Sequence, residues 1–164
     1  MPRTLILMRH AKQSRLGATD HERPLTDQGR DAANRIGHAL ADRGQLPERG
    51  LCSTALRCRQ TWENLLSGAG EHRPVDFAAD LYNASATNLL NVLAGADDDT
   101  QALLLLAHNP GISMLALGLS RGDPQALDQL NPGFSPGTTA TFEIAGPWSN
   151  VSAQTAKLIR FEPT

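Results

Sequence analysis

Residues 4–15 read TLILMRHAKQSR. Leu5, Ile6, Leu7 and Met8 follow one another without the polar alternation of a half-exposed strand. A short continuous apolar run of this kind suits a strand buried on both faces, as in a parallel sheet covered by helices. The run stops at Arg9 and His10. Polar residues ordinarily cap strands, but ligands of open parallel sheets bind at the carboxyl ends of the strands. An arginine–histidine pair at that edge is therefore also a candidate anion site.

Working outward from this strand, apolar runs and helical periodicity alternate along the chain. Residues 25–44 predict a helix with Thr26 as N-cap, an apolar stripe through Ala33, Ile36 and Leu40, and Gly44 as a stop. RGLCS (49–53) reads as a short strand, followed by a helix over TALRCRQTWENLLS capped by Ser53 or Thr54. PVDFAADLY is a weaker strand, and ATNLLNVLAG is a short helix opened by Thr87. QALLLLA (101–107) is the strongest strand. HNPGISMLALGLS then starts a helix, with Asn109 as cap and Pro110 in the first turn. After a loop over 120–137, TTATFEIA and AKLIRFE close the series as strands. The pattern predicts an α/β fold: a three-layer α/β/α sandwich around a mostly parallel central sheet.

Length and composition bound the function. The chain has 164 residues, 40% apolar and 20% charged, which suits one domain spanning 1–164 with a single sizeable core. A formal net charge of −2 and a pI near 6.2 argue against nucleic acid or an anionic membrane surface as partner. Any anion site must then be local. The start of the chain lacks a signal-peptide pattern, and ALLLLA is too short to span a bilayer, so a cytoplasmic protein is expected. Cys52 and Cys58 form neither a disulfide framework nor a zinc pattern.

Three predicted strand ends carry basic or imidazole side chains: Arg9–His10, Arg57 shortly after Ser53, and His108–Asn109. Helical side chains lean toward the helix N-terminus, so Arg57 in a first turn reaches back over its strand end. Two guanidinium forks suit phosphate oxygens, and the helix opening near Asn109 presents N–H groups and a positive dipole end. One imidazole is then placed to attack phosphorus while the other stabilises the transferring group. Each residue alone has a bland reading. A histidine at a strand end is more often structural, Arg57 alone would be a solvated helix residue, and Ser53, Thr54 and Asn109 are common caps. Lys12, Arg15, Arg23, His21, His38 and His72 read as surface groups. The conjunction of Arg–His elements at separate strand ends is what favours chemistry.

These segments carry a resemblance. LILMRHA resembles the phosphate-binding signature of the histidine phosphatase superfamily, whose phosphoglycerate mutase-like members carry Arg-His-Gly. CSTALRCRQTWE is similar to that family's Ser-x-Ala-x-Arg-x-x-Gln-Thr segment, and LLLLAHNPGIS to its second-histidine segment. DHERPLTDQGRDAA (20–33) resembles the Arg-Pro-Leu-Thr-x-x-Gly stretch of the small SixA-type phosphohistidine phosphatases. The resemblance covers residues 4–112, in the family's order, and leaves the last third unmatched. It implies a phosphatase that passes through a covalent phosphohistidine at His10. Arg9, Arg57 and His108 would complete the catalytic pocket, with neither metal nor organic cofactor. Lys12, Ser14 and Asn109 are candidate substrate contacts. The implied partner is a phosphorylated protein or a small phosphate ester, and a monomer is expected.

Two departures stand out. Ala11 replaces the family's usual glycine, as in SixA-type members. Where many members place an acidic Glu, this chain reads DLYNASA, with Tyr82 and Asn83; Asp20, Glu22 and Asp80 are the remaining candidates for a proton donor. Expelling an alkoxide needs a positioned acid, typically worth ~10²–10⁴ in rate. The imidazole of phosphohistidine is a better leaving group, so the missing Glu favours cleavage of P–N bonds. A phosphatase of sugar or nucleotide phosphates and a non-catalytic phosphate-binding module are the alternatives. A cysteine phosphatase is rejected, because the sixth position after Cys52 is Cys58 rather than Arg, and a mutase would need extra residues that this chain lacks room for.

Overall fold

A computed structural model describes residues 1–164. Six strands form one sheet in the order β3-β2-β4-β1-β5-β6. The strands are β1 (Arg3–Arg9), β2 (Arg49–Ser53), β3 (Val75–Ala78), β4 (Ala102–Ala107), β5 (Thr139–Ile144) and β6 (Ala156–Glu162). The first four in that order run parallel, whereas β5 is antiparallel to β1 and β6 to β5. Helices α1 (Asp27–Asp42) and α2 (Leu56–Ala69) cover one face. Helices α3 (Ala86–Ala94) and α4 (Gly111–Leu119) cover the other, giving the expected three-layer sandwich.

The unbroken apolar run of β1 follows from this layering. Ile6 and Met8 pack with Leu104, Leu106, Leu40, Trp62 and Leu65 on the α1–α2 side. Leu5 and Leu7 pack with Leu103, Leu105, Leu89, Leu93, Ile112 and Leu115 on the α3–α4 side. Both faces of the strand are dry, so neither parity of residue tolerates a polar side chain.

Helix ends depart from expectation where side chains have other partners. Thr26 caps α1 as predicted, its hydroxyl accepting the Gly29 N–H. Neither Ser53 nor Thr54 caps α2; Ala55 stands at that position without a side-chain bond, because the Ser53 and Thr54 hydroxyls face His108 and His21. Ser85, not Thr87, caps α3 by accepting the Asn88 N–H. Asn109 does not cap α4 and Pro110 precedes its first turn, since the Asn109 amide donates across to the Phe134 carbonyl. The strand expected over 74–82 ends at Ala78 and turns into one 3₁₀ turn, Ala79–Leu81. The stretch expected as a loop over 120–137 contains a short helix, α5 (Pro124–Gln129), which Asp123 caps and Pro124 opens.

Candidate active site

Register brings the two histidines together. In the parallel pair β1–β4, Arg9 lies opposite Ala107, so the next residues, His10 and His108, leave the same sheet edge side by side. Their rings stand 5.2 Å apart between centroids, tilted by 55°. Cys52 of β2 lies opposite Leu106, which delivers Ser53 to the same edge. Arg57, in the first turn of α2, is buried beside them. Three segments separated by about fifty residues thus meet at the carboxyl ends of adjacent strands.

Each ring is fixed by its neighbours. His10 Nδ1 lies 2.8 Å from the Ala11 carbonyl oxygen, which only accepts, so Nδ1 carries the proton and Nε2 keeps its lone pair. Burial, reinforced by His108, Arg57 and Arg9, pushes the His10 pKa down to about 3, so the ring is neutral near pH 7. Burial thus outweighs the arginines in keeping this ring unprotonated. The Ser53 hydroxyl accepts the Ala55 N–H and bonds with His108 Nε2 at 2.8 Å. Cys58 Sγ lies 3.5 Å from the same nitrogen. His108 Nδ1 is buried and has no protein partner.

The arginines are held with part of each fork unused. Arg9 donates to the Phe134 carbonyl at 2.9 Å, and the Asn109 amide donates to the same oxygen at 2.8 Å. Arg57 donates to the Asp20 carbonyl at 2.8 Å and to its carboxylate at 3.1 Å. Arg9 Nε and Arg57 Nε, like His108 Nδ1, lack a protein partner. Such donors clustered around one histidine form an incomplete hydrogen-bond set that an anion would complete. No group of three or more His, Cys, Asp or Glu side chains converges as a metal site.

The other candidates are engaged by protein partners or turned to the surface. Lys12 donates to Gln28 on α1, the Ser14 hydroxyl accepts the N–H of Leu16 in its own loop, and Asn109 serves the Phe134 carbonyl. Among the possible proton donors, Asp80 lines a surface groove with Asn83, Asn88 and Asn91, and Glu22 is exposed. Asp20 does reach the site, but as an anion: the Tyr82 hydroxyl, then Arg23 and Arg57, hold its carboxyl well below the usual range. An ionised carboxylate accepts protons rather than donating them at neutral pH.

Three contributors were not picked out as site residues in the sequence. The Tyr82 ring stands edge-on to His108 at 5.5 Å and to His21 at 4.9 Å, and its hydroxyl donates to Asp20 at 2.5 Å. His21, read as a surface group, is half-buried and bonds to Thr54. The Thr61 hydroxyl accepts the Ala11 N–H at 3.0 Å and donates to the Arg57 carbonyl at 2.7 Å, tying the His10 loop to α2. Thr61 is the threonine of the Ser-x-Ala-x-Arg-x-x-Gln-Thr segment and His21 lies within DHERPLTDQGRDAA, whereas Tyr82 stands outside the matched segments.

Known proteins share both the sequence and the fold. The sequence model of the histidine phosphatase superfamily (branch 1) matches residues 5–89. An uncharacterized protein of Mycobacterium leprae is 30% identical over 94% of this chain and 98% of its own length. One from Mycobacterium tuberculosis is 33% identical with the same coverage. A protein from Nakamurella multipartitia assigned as phosphohistidine phosphatase SixA has a structure that superposes with a TM-score of 0.85 at 33% identity, covering 99% of this chain and 96% of that one. Its counterpart from Agrobacterium tumefaciens gives 0.83 at 27%, covering 100% and 99%. A tungstate complex of the protein histidine phosphatase SixA shares the fold, with a TM-score of 0.81 at 20% identity and coverage of 98% and 96%. The arginine–histidine strand end, its place in the sheet and these matches along nearly the whole chain have one explanation: this protein belongs to the histidine phosphatase superfamily.

Proposed function

We propose that the protein is a phosphatase that removes the phosphoryl group from phosphohistidine on a phosphotransfer protein, with His10 as nucleophile. The observation that carries this reading is the His10 ring itself. Its Nδ1–H is given to the Ala11 carbonyl, its Nε2 lone pair is free, and burial keeps it neutral. A nucleophilic imidazole requires that state. In the first step Nε2 attacks phosphorus in line while Arg9, Arg57 and His108 Nδ1–H hold the phosphoryl oxygens. The substrate imidazole leaves with the electron pair of the broken P–N bond. Water then attacks the phosphoryl group on Nε2, releasing phosphate and restoring the neutral ring.

The substrate class follows from the absence of a placed acid. Asp20 is the carboxylate at the pocket, and it is held ionised. Without a donor for an alkoxide, alkyl phosphates are poor substrates, whereas imidazole departs without protonation at the leaving nitrogen. The test is mass spectrometry after rapid acid-free quenching with a phosphohistidine-bearing phosphotransfer protein. The expected result is a transient gain of one phosphate on the peptide carrying His10, with loss of phosphate from the partner. His10→Ala should abolish both. A partner that stays phosphorylated while p-nitrophenyl phosphate is cleaved would move the reading to a small-molecule phosphatase. Phosphate binding without turnover of any substrate would leave a binding module.

A further inference from the structure

The rim of the pocket carries one anion that the reaction above does not use. Asp20 lies in the loop between β1 and α1, its side chain about half exposed, yet it is bound from three directions. Arg57 donates to its backbone carbonyl through Nη1 and to Oδ2 through Nη2, Arg23 donates to Oδ1 at 3.1 Å, and the Tyr82 hydroxyl donates to Oδ2. His10 and His108 are nearly buried beneath. An in-line displacement puts the leaving group opposite His10 Nε2, on the outward side. Asp20 and Tyr82 meet Arg57 at this rim, with the Arg57 guanidinium carbon 5.9 Å from the Tyr82 ring centroid.

We propose that Asp20 is the specificity-determining residue for the leaving group: its carboxylate accepts an N–H from the departing ring and excludes leaving groups that bear a second anion. The proposal rests on the phosphohistidine reading and extends it. When protonated phosphohistidine transfers its phosphoryl group, the P–N bond breaks as the bond to His10 Nε2 forms. The electron pair stays on the leaving nitrogen, and the ring departs neutral with its proton on the distal nitrogen. That N–H is a donor facing the rim, and a carboxylate is the strongest acceptor the protein can place there. The same carboxylate occupies the outer edges of Arg57 and Arg23, the cations that a second anionic group on a substrate would otherwise use. Tyr82, edge-on to His108 and His21, supplies the aromatic wall beside it.

The test compares kcat/KM for three probes on the full chain: a phosphohistidine peptide, p-nitrophenyl phosphate, and phosphoglycolate, which carries a carboxylate beside its ester. In Asp20→Ala the ratio of phosphohistidine to p-nitrophenyl phosphate turnover should fall about tenfold, the size of one charge-assisted hydrogen bond. The ratio of phosphoglycolate to p-nitrophenyl phosphate turnover should rise by a similar factor. Asp20→Asn preserves the shape and an acceptor for Arg57 but not the charge, and should shift the phosphoglycolate ratio in the same direction. A parallel fall with all three probes in both variants would mean that Asp20 merely orients Arg57, overturning the proposal alone. An unaltered protein that cleaves p-nitrophenyl phosphate but not the phosphohistidine peptide would overturn the substrate reading, and the proposal with it.

Discussion

His10, the proposed nucleophile, shows how one backbone contact and burial together set the state of an imidazole. The Ala11 carbonyl selects the tautomer, and burial selects the charge state. The second effect has a thermodynamic signature. Burial sets the folded-state pKa at about 3 against 6.5 for the unfolded residue, so below pH 6.5 the unfolded chain binds a proton that the folded chain refuses. The stability tied to a neutral His10 is fully present above pH 6.5 and is lost as pH falls toward 3. The expected slope reaches about 1.4 kcal/mol per pH unit. Urea unfolding of the native chain and His10→Gln between pH 7 and 4 should show this slope in the native chain and a shallower one in the variant. Arg57 makes a second case at this scale. A lysine offers a point charge in place of a fork, and it cannot hold Asp20 and a phosphoryl oxygen together. Arg57→Lys is expected to lower kcat/KM about 100-fold, read with whichever phosphorylated substrate the protein turns over.

Elements are locked to one another by contacts that small residues make possible. Helices α1 and α2 cross so closely that a methyl group at Gly37 would run into the Leu65 carbonyl, and one at Gly68 into the Asn34 carbonyl. Backbone carbonyls cannot rotate aside, so Gly37→Ala must push the helices apart. A loss of about 1–3 kcal/mol in unfolding free energy is expected, read as a lower urea midpoint. Thr61 ties these helices to the site, accepting from Ala11 and donating to the Arg57 carbonyl. Thr61→Val leaves the Ala11 N–H buried without a partner, at a cost of about 1–3 kcal/mol. It should also lower phosphatase activity, because it loosens the loop that holds the His10 ring. Activity measured well below the unfolding midpoint of that variant separates positioning from stability.

The whole molecule carries a slight negative charge, −2, yet gathers Arg9 and Arg57 at one edge of its sheet. Like charges brought together lower the Arg9 pKa, with burial as the larger cause. A bound anion relieves both the repulsion and the unpartnered Arg9 Nε and Arg57 Nε donors. An oxyanion such as tungstate at 100 times its Kd should therefore stabilise the fold by about 2.7 kcal/mol, seen as an upward shift in Tm. Arg57→Ala should abolish most of that shift. The overall charge has no bearing on it, because the field that matters is local and shielded from bulk water.

Much of this protein was legible in its sequence because the deciding signals are local. The unbroken Leu5–Met8 run specifies a strand covered on both faces, and alternation of such runs with capped helices specifies a layered α/β fold. Arg9, His10, Arg57 and His108 could be picked out because each stands just past a predicted strand. What depended on neighbours distant in the chain was hidden. The Ser53, Thr54 and Asn109 side chains look like helix caps, but each finds a partner across the site, and α5 is too short to announce itself between prolines. Asp20 could be named as a proton donor from its proximity, yet Tyr82, Arg23 and Arg57 make it an anion. The sequence by itself determined the main strands and helices and which basic and imidazole side chains stand at the strand ends, since periodicity and chain direction are properties of short segments. Only the tertiary structure decided protonation, tautomer and partner, because these depend on burial and on charges that the β1–β4 register brings together from a hundred residues apart.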